Sequence, residues 1–273
     1  MHLATFLHEG LVRPGIIEGD RLLPISDVAD MVEVIAAWSG RPQTGTVSLP
    51  LSEVRLLAPI QRPGKIVAIG LNYADHIAES KLGTPESQVW FAKTANTING
   101  PFDPIVLPTV SDQTDYEAEL VAVVGRGGRH LTRESAPAAI FGYMVGNDVS
   151  VRDWQKKTPQ WLLGKSFDGH APTGPWITTA DAIDDPHQLG IQTFVNGEIR
   201  QDSNTRHLVF DLWDQLVELS KVMTLEPGDL IFTGTPGGVG AATGDFLAPG
   251  DRVRVVIDQL GAIEGECVAE TEG

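Results

Sequence analysis

Apolar residues along this chain fall in short runs punctuated by Gly, Pro, Asn and Asp, a pattern that predicts strands more often than helices. Near the start, Gly15-Ile16-Ile17-Glu18-Gly19-Asp20-Arg21-Leu22-Leu23 reads as two strands folded about a Gly-Asp turn. A helix is expected over residues 27–38, with Val28, Met31, Val32 and Ile35 at helical spacing and Gly40 as its stop. Further on, residues 66–69, 116–124, 141–145, 230–232 and 252–258 read as strands, and residues 72–80 as a short helix. Asn196-Gly197, set between Gln192-Thr193-Phe194-Val195 and Glu198-Ile199-Arg200, is the strongest hairpin signal in the chain. One longer helix is expected over residues 211–222, with Leu212, Leu216, Leu219 and Met223 on one face. No internal repeat or low-complexity segment interrupts the pattern. The expected class is β-rich α+β, with helices outside a folded-over sheet.

The Pro-, Gly- and Thr-rich stretch over residues 39–50 reads either as a linker or as a surface loop within one domain. The expected division is a small N-terminal α/β domain over residues 1–59 and a larger domain over residues 60–273.

Composition changes this picture in two ways. The formal net charge is −16, from 36 acids against 20 Lys plus Arg, which argues against nucleic acid or an anionic membrane as partner. Any anionic substrate must then be met by a local positive group, a metal ion or a small Lys/Arg cluster. Cys267 is the only cysteine, so an intrachain disulfide and a multi-thiolate metal site are both excluded. Residues 1–10 do not read as a signal peptide and no apolar run reaches membrane-spanning length, so a cytoplasmic location is expected.

The most informative chemistry lies in Asp115-Tyr116-Glu117-Ala118-Glu119-Leu120-Val121-Ala122-Val123-Val124. Alternate residues of a strand share a face, so Glu117 and Glu119 point the same way as Val121 and Val123. Two carboxylates at the rim of a core repel unless a cation neutralises them, and Asp148, after the next apolar strand, offers a third oxygen ligand. Such a set suits a hard ion: Mg²⁺, Mn²⁺ or Ca²⁺. On spacing alone, two acids decorating an edge strand remain the alternative.

Together with Gly70-Leu71-Asn72-Tyr73-Ala74-Asp75-His76-Ile77-Ala78-Glu79-Ser80, the segments Glu117-Ala118-Glu119-Leu120 and Asn147-Asp148-Val149-Ser150-Val151-Arg152-Asp153-Trp154-Gln155 form an ordered series. It continues through Gly164-Lys165-Ser166-Phe167-Asp168, Val195-Asn196-Gly197-Glu198 and Thr233-Gly234-Thr235-Pro236-Gly237-Gly238-Val239-Gly240. This series resembles the fumarylacetoacetate hydrolase family. The segments Pro101-Phe102-Asp103-Pro104-Ile105-Val106 and Pro172-Thr173-Gly174-Pro175-Trp176 look most like its bacterial acylpyruvate and 2,4-diketo-3-deoxy sugar acid hydrolases. The resemblance implies a mixed β-sandwich roll as the catalytic domain, with Glu117, Glu119 and Asp148 as ligands of Mg²⁺ or Mn²⁺, Ca²⁺ also being accepted. A 2,4-dioxo acid would be polarised by the ion as its carbon–carbon bond breaks, giving pyruvate and an acid.

His76 matches the family's water-activating base, with Glu79 three residues on to hold its ring. Lys165 matches the lysine beside the metal. Arg152, Gln155, Thr235 and Tyr73 fall on substrate-side positions; Arg152 as a structural partner of Asp153 or Glu119 is the alternative. Lys93 lies in a matching segment without a defined role, and His170 is a candidate pocket residue. Trp154, Trp161 and Trp176 stand near the expected site, as core or as substrate contacts. A homodimer is expected from the family habit. Decarboxylation of a 2-oxo acid such as oxaloacetate, or enol–keto isomerisation, would use the same metal site. A non-catalytic metal scaffold would lack His76, Glu79 or Lys165, and this sequence has all three.

Overall fold

A computed structural model describes residues 1–80 and 83–271; the last two residues of the expected second domain lie outside the described residues. Strands β1 (His2–His8), β2 (Leu11–Glu18) and β3 (Arg21–Pro24) form an antiparallel meander. The second hairpin turns at Gly19-Asp20, as expected. The first turns at Glu9-Gly10, both at positive φ (49° and 78°), the two-residue geometry whose twist suits a hairpin.

The helix expected over residues 27–38 shortens to α1 (Met31–Ala36). Asp27 stands at φ 58°, outside the helical region, and Asp30 caps the first turn by accepting from the Glu33 amide at 2.9 Å. The helix ends at Ala37, three residues before Gly40. β4 (Leu49–Pro50) pairs with β3, so the stretch read as a linker or a surface loop ends inside the sheet, and β5 (Arg55–Leu57) pairs with β1.

The chain continues through β6 (Ile66–Gly70), α2 (Ala74–Ser80), β7 (Val89–Lys93), β8 (Ile98–Asn99), β9 (Ile105–Leu107) and β10 (Thr114–Asp115). Then come β11 (Ala118–Val124), β12 (Ile140–Asn147), β13 (Ser150–Val151), α3 (Arg152–Lys156) and β14 (Ala171–Thr179). The last elements are β15 (Gly190–Val195), β16 (Glu198–Asn204), α4 (Leu212–Val222), β17 (Leu230–Phe232), α5 (Gly240–Thr243), β18 (Arg252–Ile257) and β19 (Gly261–Ala269). Asn196 and Gly197 make the β15–β16 turn at φ 53° and 83°.

The larger sheet runs β4-β3-β2-β1-β14-β12-β11-β17-β6-β7, and the smaller runs β16-β15-β18-β19-β9. Both are mixed: β17–β6 and β19–β9 pair in parallel among antiparallel neighbours. The β1–β14 pairing carries the larger sheet without a break from the N-terminal strands into the rest of the chain.

β11 and β12 sit at the centre and every residue in them is buried. Their two faces go to different cores, which is why β11 reads as a continuous apolar run rather than an alternating one. Leu120, Ala122 and Val124 pack with Leu212, Leu216 and Leu219 of α4 and with Ile191, Val255 and Ile263 of the smaller sheet. Val121 and Val123 pack on the opposite side with Met144, Phe232 and the α1 residues Met31, Val34 and Ile35. The result is the strand-rich α+β fold expected. Among the described residues no helix is long and apolar enough to cross a membrane.

Candidate active site

Where β11 and β12 begin and end together, the second of these cores gives way to charge. Asn147, at the end of β12, accepts the Glu117 amide on its side-chain oxygen at 2.9 Å, and the Asp148 amide donates to the Glu117 carbonyl at 2.9 Å. This clamp brings Glu117, Glu119 and Asp148 together, one oxygen from each within 4.8 Å of the others, all buried. Glu117 itself lies just before the strand, yet its carboxylate stays on the side of Glu119.

Three cations thread this cluster. Lys165 Nζ lies 2.6 Å from both Glu117 Oε2 and Asp148 Oδ2. Lys93 Nζ lies 2.7 Å from Asp148 Oδ1, off the angle for a hydrogen bond, and donates to the Val149 carbonyl at 3.2 Å. Arg152 places Nη1 2.6 Å from Glu117 Oε1 and Nε 2.7 Å from Asp115 Oδ2. Four buried carboxylates, Asp115 included, thus face three cationic side chains. The excess falls on Glu119: its only hydrogen-bond partner among the described residues is the Gly234 amide at 2.7 Å, and no cation pairs with it directly.

The titration directions follow. Burial works against a charged Glu117, but Lys165 and Arg152 outweigh it and hold the carboxyl down at about 2. Burial, then the neighbouring Asp148 and Glu117, push Glu119 well above the usual carboxylate range. Burial lowers Lys93, Asp148 opposing it only in part, whereas Lys165 stays raised because Asp148 and Glu117 overcome its burial.

The residues fit a divalent cation. The donors are all carboxylate oxygens, Glu119 is a buried carboxyl with no ion-pair partner among the described residues, and Asp148 Oδ1 is buried without a hydrogen bond.

The cluster floors a cavity of about 580 Å³. His76 and Glu79 of α2 face it, with His76 Nδ1 3.6 Å from Glu79 Oε2 and free of any hydrogen bond. The helix is set by the turn before it. Leu71 stands at φ 54°, unusual for a branched side chain. Asn72 holds that turn through its side chain, donating to the Phe210 and Thr233 carbonyls at 3.0 and 2.8 Å and accepting the Phe210 amide at 2.8 Å. The glycine-rich segment ties down the same helix: Gly237 N donates to Asp75 at 3.2 Å and Gly238 N to Glu79 at 3.1 Å. Gly238 stands at φ 94°, and a Cβ there would lie 2.0 Å from the Arg200 carbonyl oxygen, so only glycine serves.

Arg152, Gln155, Lys165 and Thr235 line the cavity as well. Arg152 Nη2 is buried without a partner, a donor left free beside the cluster, while its other contacts are to Asp115, Glu117 and Gln155 rather than to Asp153 or Glu119. Thr235 accepts a hydrogen bond from Gln201 Nε2 at 2.9 Å.

Tyr73 and His170 stand away from the cavity, and the tryptophans divide between core and cavity. Tyr73 does not line the cavity; it is fully buried in the core, its hydroxyl unpartnered and its pKa raised well above normal by burial and then by Glu119. His170 is also buried away from the cavity, with Nε2 2.8 Å from the Val106 carbonyl oxygen. Burial holds it down at about 4. Of the tryptophans, only Trp161 reaches the cavity; Trp154 packs edge-on against Phe167, and Trp176 lies against His2.

Sequence reasoning missed Asp115. It accepts Arg152 Nε, the Gly240 amide at 2.8 Å and the Ala241 amide at 2.9 Å, joining the arginine to the opposite cavity wall. Its only signal was its place two residues before Glu117.

The model described as fumarylacetoacetate (FAA) hydrolase C-terminal matches residues 65–268, and one described as Rv2993c-like, N-terminal matches residues 1–59. The chain is 47% identical over 224 residues to "Oxaloacetate tautomerase fahd2, mitochondrial" of Xenopus laevis, covering 81% of this chain and 70% of that protein. Among solved structures it is similar to a 5-carboxymethyl-2-hydroxymuconate delta-isomerase from Mycobacterium smegmatis, with TM-score 0.86 and 37% identity over 99% of this chain and 100% of that one. It is also similar to a maleylpyruvate hydrolase from Sphingobium sp. SYK-6 in complex with manganese(II) and pyruvate, with TM-score 0.84, 34% identity and the same coverage.

Proposed function

The chain belongs to the fumarylacetoacetate hydrolase family, and from that premise we propose that it is a divalent-metal-dependent enzyme that hydrolyses a carbon–carbon bond of a 2,4-dioxo acid, releasing pyruvate and a carboxylic acid. The observation that carries this reading is the uncompensated, buried Glu119 on the floor of a cavity whose wall presents His76 backed by Glu79.

In this reading Glu117, Glu119 and Asp148 hold the ion. A divalent cation, Mg²⁺ or Mn²⁺, supplies Lewis acidity toward the oxygens of the 2-oxo acid. The free Nη2 of Arg152, with Gln155 beside it, receives a substrate carboxylate. His76 takes a proton from water, and Glu79 stabilises the imidazolium that forms. The resulting hydroxide adds to the carbonyl at C4, the C3–C4 bond breaks, and its electron pair passes to C3. Lys165 lends its charge to the enolate of pyruvate so formed. The proton held on His76 returns to C3.

A second reading, oxaloacetate enol–keto tautomerisation or decarboxylation, draws on the 47% identity to an oxaloacetate tautomerase. His76 would then move a proton between carbon and oxygen with no water added. The cavity favours the first reading: about 580 Å³ lies within the roughly 300–1,000 Å³ of sites for drug-sized ligands, more room than a four-carbon acid needs.

The test is an assay of metal-stripped protein with Mg²⁺ or Mn²⁺ restored, on acylpyruvates and on oxaloacetate, for the native chain, His76→Ala and Glu119→Ala. Pyruvate with an equimolar carboxylic acid, lost in both variants, supports hydrolysis. Interconversion of oxaloacetate tautomers, or release of carbon dioxide, with no acylpyruvate turnover would replace it with the second reading.

A further inference from the structure

Beside the charged cluster the cavity wall carries two aromatic rings in sequence. The Phe91 ring centroid lies 4.9 Å from Lys165 Nζ, the ammonium that bridges Glu117 and Asp148. Trp161 lies next along, its ring centroid 5.4 Å from that of Phe91 and its carbonyl accepting the Lys165 amide at 3.1 Å. Both rings are half-buried, so each keeps surface for a ligand.

The seat of the tryptophan is Gly70. A Cβ at that position would stand 2.4 Å from Trp161 Cζ3 and 2.8 Å from Cη2, so the indole rests on bare backbone. Gly70 is not at positive φ, so its backbone does not demand glycine; the missing side chain is what admits the indole. Leu71, the next residue, also lines the cavity from its left-handed conformation.

Charge argues in the same direction. Arg152 and Lys165 are already bound to Asp115, Glu117 and Asp148. Lys156 is the one other Lys or Arg among the described lining residues, and it is exposed. A second carboxylate on the substrate would find no buried counter-charge beside Trp161.

Resting on the acylpyruvate reading above, we propose that the acyl tail of the substrate is flat and apolar, aromatic or conjugated, and that Trp161, seated on Gly70, determines that specificity.

The experiment compares kcat and KM for acetylpyruvate, benzoylpyruvate and succinylpyruvate in the native chain, Trp161→Ala, Trp161→Phe and Lys156→Ala, with Mg²⁺ present. Stacking and burial of one ring predict a preference of about tenfold or more for the phenyl over the methyl tail. Trp161→Ala is expected to lower kcat/KM for the phenyl tail about tenfold more than for the methyl tail, through KM, and Trp161→Phe to restore most of the difference. Gly70→Ala, which displaces the indole without removing it, should shift the same preference and stands in if Trp161→Ala does not fold. Equal losses on both tails, or a preference for the succinyl tail that Lys156→Ala removes, would overturn the proposal.

Binding separates this proposal from the hydrolysis reading. 2-Oxo-4-phenylbutanoate and 2-oxobutanoate, titrated calorimetrically into the Mg²⁺-loaded protein, have no C4 carbonyl to cleave and differ only in the ring on C4, where the tail begins. Tighter binding of 2-oxo-4-phenylbutanoate, lost in Trp161→Ala, supports the tail subsite even if no carbon–carbon bond is cleaved. Equal affinities overturn it.

Discussion

The two ends of β11 are equally buried and obey opposite rules. At its C-terminal end Leu120, Val121, Ala122, Val123 and Val124 are wholly enclosed by hydrocarbon on both faces. At its N-terminal end the same depth holds Glu117 and Glu119, with Asp115, Asp148, Lys93, Arg152 and Lys165 around them. The apolar end contributes stability by leaving water, at roughly 25 cal/mol per Å². The charged end pays desolvation for every ion, and such clusters often cost more than their attraction returns. A cluster kept at that cost, one positive charge short of balance, is built for the ion and substrate it meets.

The sharpest way to separate the two ends is to neutralise one charge. Glu119→Gln is expected to lower kcat roughly 100- to 1,000-fold while raising the melting temperature of the metal-free protein, because the buried carboxyl must take up a proton on folding and the amide need not. Thermal denaturation in chelator, beside a steady-state assay in Mn²⁺, checks both halves. A lower melting temperature in chelator would break the comparison.

Asp115→Asn should act in the reverse sense, since it takes a partner from Arg152 rather than an excess charge from the cluster. Breaking a buried pair costs about 3–5 kcal/mol, and denaturant unfolding would read it. KM should rise along with the loss of stability, as Arg152 and the Gly240–Ala241 wall lose their common anchor.

At the apolar end, Leu120→Ala should cost about 2–5 kcal/mol with the activity of the folded fraction retained. A variant that keeps its stability but loses activity would mean that the two ends are not separable.

The smallest expected effect concerns a buried group of a third kind, neutral His170. Burial lowers its pKa from 6.5 to about 4, so between these values the unfolded chain binds a proton that the fold refuses. Its contribution is complete above pH 6.5 and is lost as pH falls through that window, by up to about 3 kcal/mol. Subtracting the pH profile of His170→Asn from that of the native chain isolates this slope, since Glu119, whose raised pKa acts in the opposite sense, is common to both.

How much of this was legible depended on whether a signal is local. The strand period placed Glu117 and Glu119 on one side, and Asp148 followed from the next apolar strand, because adjacent strands bring near residues together. Asn196-Gly197 announced its turn for the same reason. The helix over residues 27–38 was overextended because apolar spacing cannot register that Asp27 takes a left-handed conformation. Asp115 gives no local signal because its partners, Arg152 of α3 and the amides of Gly240 and Ala241 in α5, lie far along the chain. Tyr73 shares the His76 motif, which points to the substrate side, yet its side chain turns into the core. The pairing of Trp161 with Gly70 spans about a third of the chain and leaves no local pattern at all.

The central claim is that a buried cluster one positive charge short is completed by a divalent ion. Calorimetric titration of Mn²⁺ into chelator-treated protein, native and Glu119→Gln side by side, tests it most directly. The account predicts one ion per chain, proton release on binding as the raised Glu119 gives up its proton, and an affinity loss of about 100-fold or more in the variant. Binding that is absent in the native chain, or undiminished in Glu119→Gln, would contradict it.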